Sequence, residues 1–114
     1  MGTSRVLTAA DTRARIGAAR EEILAFGVRR LALFGSVLRS DAGPDSDVDF
    51  LVEFVPGQKS FDHFMGLAEF LETLLKHRVE LVTTESLSPF IGPHILAEAK
   101  NVVVADYPGA EGAL

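Results

Sequence analysis

The sequence predicts an α/β (α+β) fold, a small mixed β-sheet flanked by helices. Three observations lead there. Short apolar runs (LALF, DFLVEF, VELV, NVVV) alternate with longer segments of helical periodicity. Gly-Pro and Pro-Gly pairs punctuate the boundaries between them. A chain of 114 residues, 47% hydrophobic and 24% charged, suits one domain with a single core.

Residues 8–26 read as one helix. Thr8 or Asp11 can cap it, Ile16, Ala19, Ile23 and Phe26 recur at helical spacing, and Gly27 can end it. Arg29 to Phe34 is a strand too apolar on both faces to be an edge. One helical turn follows Ser36, then a loop with the turn signal Gly43-Pro44. Asp47 to Val55 is the second strand, closed by Pro56-Gly57. Ser60 can cap the next helix, which runs to His77. Its stripe of Phe61, Phe64, Met65, Ala68, Leu71 and Leu75 is expected in the core, opposite Asp62, Glu69, Glu72, Thr73 and Lys76. Arg78 to Thr83 is a third strand. Ser88-Pro89 and Gly92-Pro93 each resemble a helix start, which predicts a broken helix to about Lys100. Residues 101–105 supply a last strand. A single domain over 1–105 and a flexible tail over 106–114 are therefore expected.

Composition narrows the function classes. A net charge of −5 disfavours indiscriminate binding to nucleic acid or anionic lipid, which needs a basic face. Without cysteine, disulfides and thiolate metal sites are excluded. The first residues lack the apolar core of a signal peptide, and Val6 stands where a myristoylation signal wants Ser or Thr. No apolar run approaches the roughly 18 residues of a membrane helix. A cytoplasmic location without a membrane partner is expected.

The informative stretch is LALFGSVLRSDAGPDSDVDFLVEF, residues 31–54, which puts aspartates where a strand should be entering the core. Aspartates before a strand are ordinarily solvated turn residues. If the strand begins by Asp47, however, Asp47 and Asp49 share a face about 7 Å apart along the chain. Two such carboxylates repel unless a cation sits between them, and hard oxygen ligands suit Mg²⁺. DSDVD also imitates the start of a calcium loop, but the positions that need Gly and Glu hold Phe50 and Pro56, so that reading fails. Upstream, Gly35-Ser36 follows a buried strand. A glycine there lets a ligand approach the backbone, and Ser36 at the start of a helical turn could complete a small anion site. A plain strand-to-helix turn would use the same residues, and no Walker Gly-Lys-Ser/Thr follows. A phosphate cradle beside a carboxylate metal site is what phosphoryl or nucleotidyl transfer needs.

Gly35-Ser36, ten residues, then Asp47-Val48-Asp49 resembles the signature of the polymerase-β-like nucleotidyltransferases. The surroundings LALFGSVLRS and SDVDFLVEF are similar to the minimal nucleotidyltransferase (MNT) family, over most of the chain from about Gly27. The resemblance implies the nucleotidyltransferase fold, Mg²⁺ (two ions) and ATP as donor. It selects Asp47 and Asp49 as catalytic metal ligands, leaving Asp45 a loop residue, and it places Glu80 as the third carboxylate, catalytic and metal-binding. Gly35, Ser36 and Arg39 become the nucleotide-binding residues, although Arg39 could equally pair with a nearby carboxylate. Two departures stand out. Glu80 occupies a position where the family more often has Asp, and Ser40 replaces a common Gly, which matters only if that position needs positive φ. His63 and His77 are expected at the surface and at a helix end, and His94 in a structural role.

The resemblance further implies an antitoxin whose partner is a small helical HEPN-type toxin, neutralised by adenylylation of a tyrosine. Neutralisation by binding alone, on a domain that keeps the fold without the chemistry, is the alternative. Direct nucleic-acid binding is not expected, because the chain lacks a basic stripe and its phenylalanines fall in stripes that should be buried. A homo- or hetero-oligomer is left open.

Overall fold

The structure, a computed structural model, describes residues 6–105. Four strands form one sheet in the order β3-β2-β1-β4. They are β1 (Val28–Phe34), β2 (Val48–Phe54), β3 (Val79–Thr83) and β4 (Lys100–Val104). β1 runs antiparallel to both β2 and β4, while β2 and β3 are parallel. The sheet is mixed, as the alternating pattern predicts. Parallel neighbours need a crossover, and it is supplied by α4 (Phe61–Leu75). The other helices are α1 (Ala9–Ala18), α2 (Arg20–Leu24), α3 (Gly35–Arg39) and α5 (Gly92–Glu98), with a 3₁₀ turn at Thr84–Ser86. β1 is central, in keeping with Leu31, Ala32, Leu33 and Phe34, which are buried on both faces.

Strand alternation divides the core in two. On one face Leu31, Leu33, Phe50 and Val52 meet Ile16 of α1, Ile23 of α2, and Leu67 and Leu71 of α4. On the other face Ala32, Phe34 and Leu51 form a small cluster beneath Leu87, Ile95 and Ala99. The second face is thinner. Its cover is α5 and the segment leading into it, so polar groups at its end reach the surface.

Several local expectations change. The N-terminal helix is two helices, broken at Ala19 (φ −108°, ψ 19°), just past Gly17, the weakest helix former of the segment. Thr8, not Asp11, caps α1, its hydroxyl accepting from the Asp11 amide at 3.0 Å. Gly27 ends the pair at φ 83°. Ser60 caps α4, accepting from the His63 amide at 3.0 Å. The expected core stripe of α4 is partly wrong. Phe61 is 77% exposed and Met65 39%, and the fully buried residues are Leu67, Leu71 and Leu75. Phe64 and Ala68 are half-buried against the core. At about 1.5 Å per residue α4 is some 22 Å long. The five residues of β3 span only about 16 Å.

Ser88-Pro89 forms a turn, its hydroxyl accepting from the Ile91 amide at 3.0 Å, and the helix proper is Gly92–Glu98. Lys100 already belongs to β4. Residues 1–5 and the expected tail over 106–114 lie outside the described residues. No helix among the described residues is long and apolar enough to cross a membrane.

Candidate active site

Pairing brings the motif residues to one end of the sheet. Phe34, the last residue of β1, faces Asp49 near the start of β2, and Asp49 is in parallel register with Glu80 of β3. Alternation sends Val48 and Phe50 into the larger core, so Asp49 and Glu80 emerge on the thin face. β2 begins at Val48, one residue later than predicted, whose amide donates to the Arg78 carbonyl at 2.9 Å. Asp47 therefore precedes the strand. Its Oδ1 is buried and accepts no hydrogen bond among the described residues. Arg78 Nε lies 3.1 Å away as an ion-pair partner, outside hydrogen-bond geometry.

Gly35 begins α3 at φ 82°, and a Cβ built there would lie 2.1 Å from Asp49 Oδ2. Both facts demand glycine. The turn thus brings the backbone and the Asp49 carboxylate into direct apposition. The Ser36 carbonyl accepts from the Asp41 amide at 3.0 Å, which folds the following loop back on α3. Arg39 Nε pairs with Asp41 Oδ2 at 3.3 Å, and its Nη1 lies 3.1 Å from both oxygens of Glu98. Glu98 Oε2 also accepts from the Gly35 amide at 2.5 Å. Ser40 closes α3 at φ 67°, so its position does need positive φ.

These groups are electrically coupled. Burial first, then the charges of Glu80 and Asp47, push Asp49 up to about 6, with Arg39 pulling the other way and Glu98 adding a smaller push. Hydrogen bonds to Asp41 and Glu98 hold the Arg39 guanidinium above its ordinary value.

Asp47, Asp49, Glu80, Gly35, Ser36 and Arg39 all lie at this end of the sheet. Asp45 is exposed in the loop. His63 and His77 instead hold backbone carbonyls of Gln58 and Leu75, and His94 is exposed on α5. Among the described residues no three acidic or imidazole groups gather closely enough to form a ready-made metal cage. Mg²⁺ does not require one, since it keeps waters and is commonly held by one or two carboxylates with substrate phosphates. Asp47 Oδ1 is buried and accepts no hydrogen bond, its ion-pair partner being Arg78, and burial with the charges of Glu80 and Asp47 raises Asp49, so a cation would stabilise both carboxylates. The donor set fits such an ion. Sequence reasoning missed Glu98. The one available signal was an acidic residue near a helix C-terminus, where the dipole disfavours it.

A glycine turn against a strand carboxylate, with further carboxylates alongside, has the donors that phosphate and a divalent cation require. The chain belongs to the nucleotidyltransferase domain family, which matches residues 16–102. It is 46% identical over 79 residues to the protein adenylyltransferase MntA of Thermococcus cleftensis, covering 68% of this chain and 77% of that protein. A solved structure described as a minimal nucleotidyltransferase superposes with a TM-score of 0.73 at 35% identity, over 87% of this chain and 98% of that one. The fold is also similar to a complex of the tri-AMPylated Shewanella oneidensis HEPN toxin with its MNT antitoxin, with a TM-score of 0.58 and 20% identity, over 82% of this chain and 71% of that one. Enzymes of this family use a nucleotide and, in general, a divalent metal.

Proposed function

We propose that this protein is a Mg²⁺-dependent adenylyltransferase that acts as an antitoxin, moving AMP from ATP to a tyrosine of a HEPN-type toxin and so neutralising it. One observation carries the reading. The turn that would receive phosphate is built against the carboxylate that would receive the metal, Gly35 having no room for a Cβ beside Asp49. The identity to an MntA protein adenylyltransferase supports protein as acceptor, and the likeness to an AMPylated toxin complex supports the partner class.

In this reading Asp47 and Asp49 would hold two Mg²⁺ ions, with Glu80 completing the set. Bound metal would neutralise the triphosphate and lower the pKa of the attacking hydroxyl. Gly35 and Ser36 orient the phosphates, with Arg39 beside them. The tyrosine oxygen forms a bond to the α-phosphorus, the bond from that phosphorus to the bridging oxygen breaks, and pyrophosphate leaves. The tyrosine proton passes to Glu80, exposed at the site and in register with Asp49. The partner contributes positioning by docking, the usual means of making a bimolecular step efficient.

The test is incubation of the purified protein and its cognate toxin with ATP and Mg²⁺, read by intact mass. The expected result is a toxin heavier by whole AMP units, abolished by Asp47→Asn with Asp49→Asn. A toxin of unchanged mass that still co-purifies with this protein would instead favour neutralisation by binding alone. The occupation of the Gly35 amide and Arg39 by Glu98 is the observation that gives this second reading weight.

A further inference from the structure

We propose that Glu98 is an internal anion that occupies the phosphate-binding donors of the free protein and is displaced when the phosphates of a nucleotide enter, setting both the affinity and the selectivity of the site. The proposal rests on the nucleotidyl-transfer reading above. Glu98 is the last residue of α5, and the antiparallel pairing of β4 with β1 brings it to the Gly35 turn. Its Oε2 accepts from the Gly35 amide at 2.5 Å, and both oxygens lie 3.1 Å from Arg39 Nη1. A carboxylate spanning a backbone amide and a guanidinium presents the same paired oxygens that a phosphate would offer. The Gly35 amide cannot serve phosphate while Glu98 uses it, Arg39 Nη1 is engaged by the same carboxylate, and two anions on one set of donors repel. Arg39 would not drift away once Glu98 leaves, because Asp41 still holds its Nε.

The energetics favour a displaceable plug over a permanent brace. Glu98 adds negative charge near Asp49, at a helix end whose dipole opposes it. Its side chain is 29% exposed, so it can turn to solvent without unpacking the small cluster of Ala32, Phe34 and Leu51. A ligand must therefore outcompete a carboxylate already in place. A metal-bound triphosphate can do so more readily than a monophosphate, which makes Glu98 a filter against AMP.

Titration calorimetry with Mg²⁺·ATP and with AMP on the wild type, Glu98→Gln and Glu98→Ala tests this. Glu98→Ala should bind ATP about tenfold more tightly, the scale of one charge-assisted hydrogen bond, and should lose part of its discrimination against AMP. Glu98→Gln should fall between, since its amide oxygen keeps the Gly35 hydrogen bond without the ion pair. In parallel, the Gly35 amide resonance of the free protein should move on Glu98→Ala, and addition of ATP should move it in the wild type. Circular dichroism and melting report whether each variant folds; should Glu98→Ala fail to fold, the near-isosteric Glu98→Gln decides the sign. Wild-type ATP binding with equal or weaker binding in the folded variants would overturn the proposal alone and make Glu98 a brace for the turn. No ATP binding by any of the three would overturn the proposal and the functional reading together.

Discussion

Ser40 closes α3 in a conformation that a side chain resists. Its φ of 67° and ψ of 28° lie in the left-handed region, where a Cβ crowds the carbonyl oxygen. Glycine is the usual residue at such a helix end. Ser40→Gly should therefore stabilise the protein by about 0.5–1 kcal/mol, the strain relieved less the extra unfolded-state entropy of glycine. Urea denaturation would show a higher midpoint at unchanged slope, while Ser40→Ala, which keeps the Cβ, should show no gain. Lys76, at φ 58° after α4, is a second position of the same kind. The strain at Ser40 was legible only as a question, because sequence names the residue and not its φ. Gly35 is the opposite case. Its glycine was readable as functional, but its reason, an Asp49 oxygen where Cβ would stand, needed the register of β1 against β2.

At the scale of elements, α4 separates what periodicity can and cannot assign. Nearly every turn of FDHFMGLAEFLETLL carries apolar residues, so two overlapping stripes fit a 3.6 period. Only docking against the sheet chooses between them. Leu71→Ala should cost about 2–5 kcal/mol as a buried truncation, whereas Phe61→Ser, at a 77% exposed position, should stay within about 0.5 kcal/mol. Chemical denaturation of the two variants checks the pair, and a comparable loss in both would restore the longer stripe. Strands fared better because their two-residue alternation leaves one assignment. Val48 and Phe50 inward put Asp49 outward, and the parallel register then puts Glu80 beside it. Gly17 was the one hint of the break at Ala19, and Gly92-Pro93 marked the start of α5 but not its end at Glu98. The end of α5 depends on where the chain turns into β4. Glu98 was invisible, since its function is conferred by a residue 63 positions away.

For the whole molecule, the carboxylate end of the sheet couples folding, protons and metal. Asp49 has its affinity for a proton raised by folding, from an ordinary 3.8 to about 6. The stabilisation linked to its protonated form is fully present below 3.8 and is lost as pH rises through about 6. Above that window, the metal-free protein carries an ionised, partly desolvated carboxylate facing Glu80 and Asp47. Asp49→Asn removes that charge while keeping the shape, so it should stabilise the metal-free protein at pH 7.5. A gain of roughly 5 °C in Tm is expected, corresponding to about 1 kcal/mol in a domain of this size, and it should shrink toward zero at pH 4. Mg²⁺ should relieve the same charge in the wild type. Because proton and cation compete for one carboxylate, Mg²⁺ should raise the wild-type Tm at pH 7.5, do so less at pH 5, and leave Asp49→Asn unmoved. Thermal melts of both proteins with Mg²⁺ and with a chelator, across this pH range, measure all of these effects. A variant less stable than the wild type at pH 7.5 without metal would mean that Asp49 braces the fold through the Gly35 turn. A Mg²⁺ effect equal in the two proteins would remove Asp49 from the metal site.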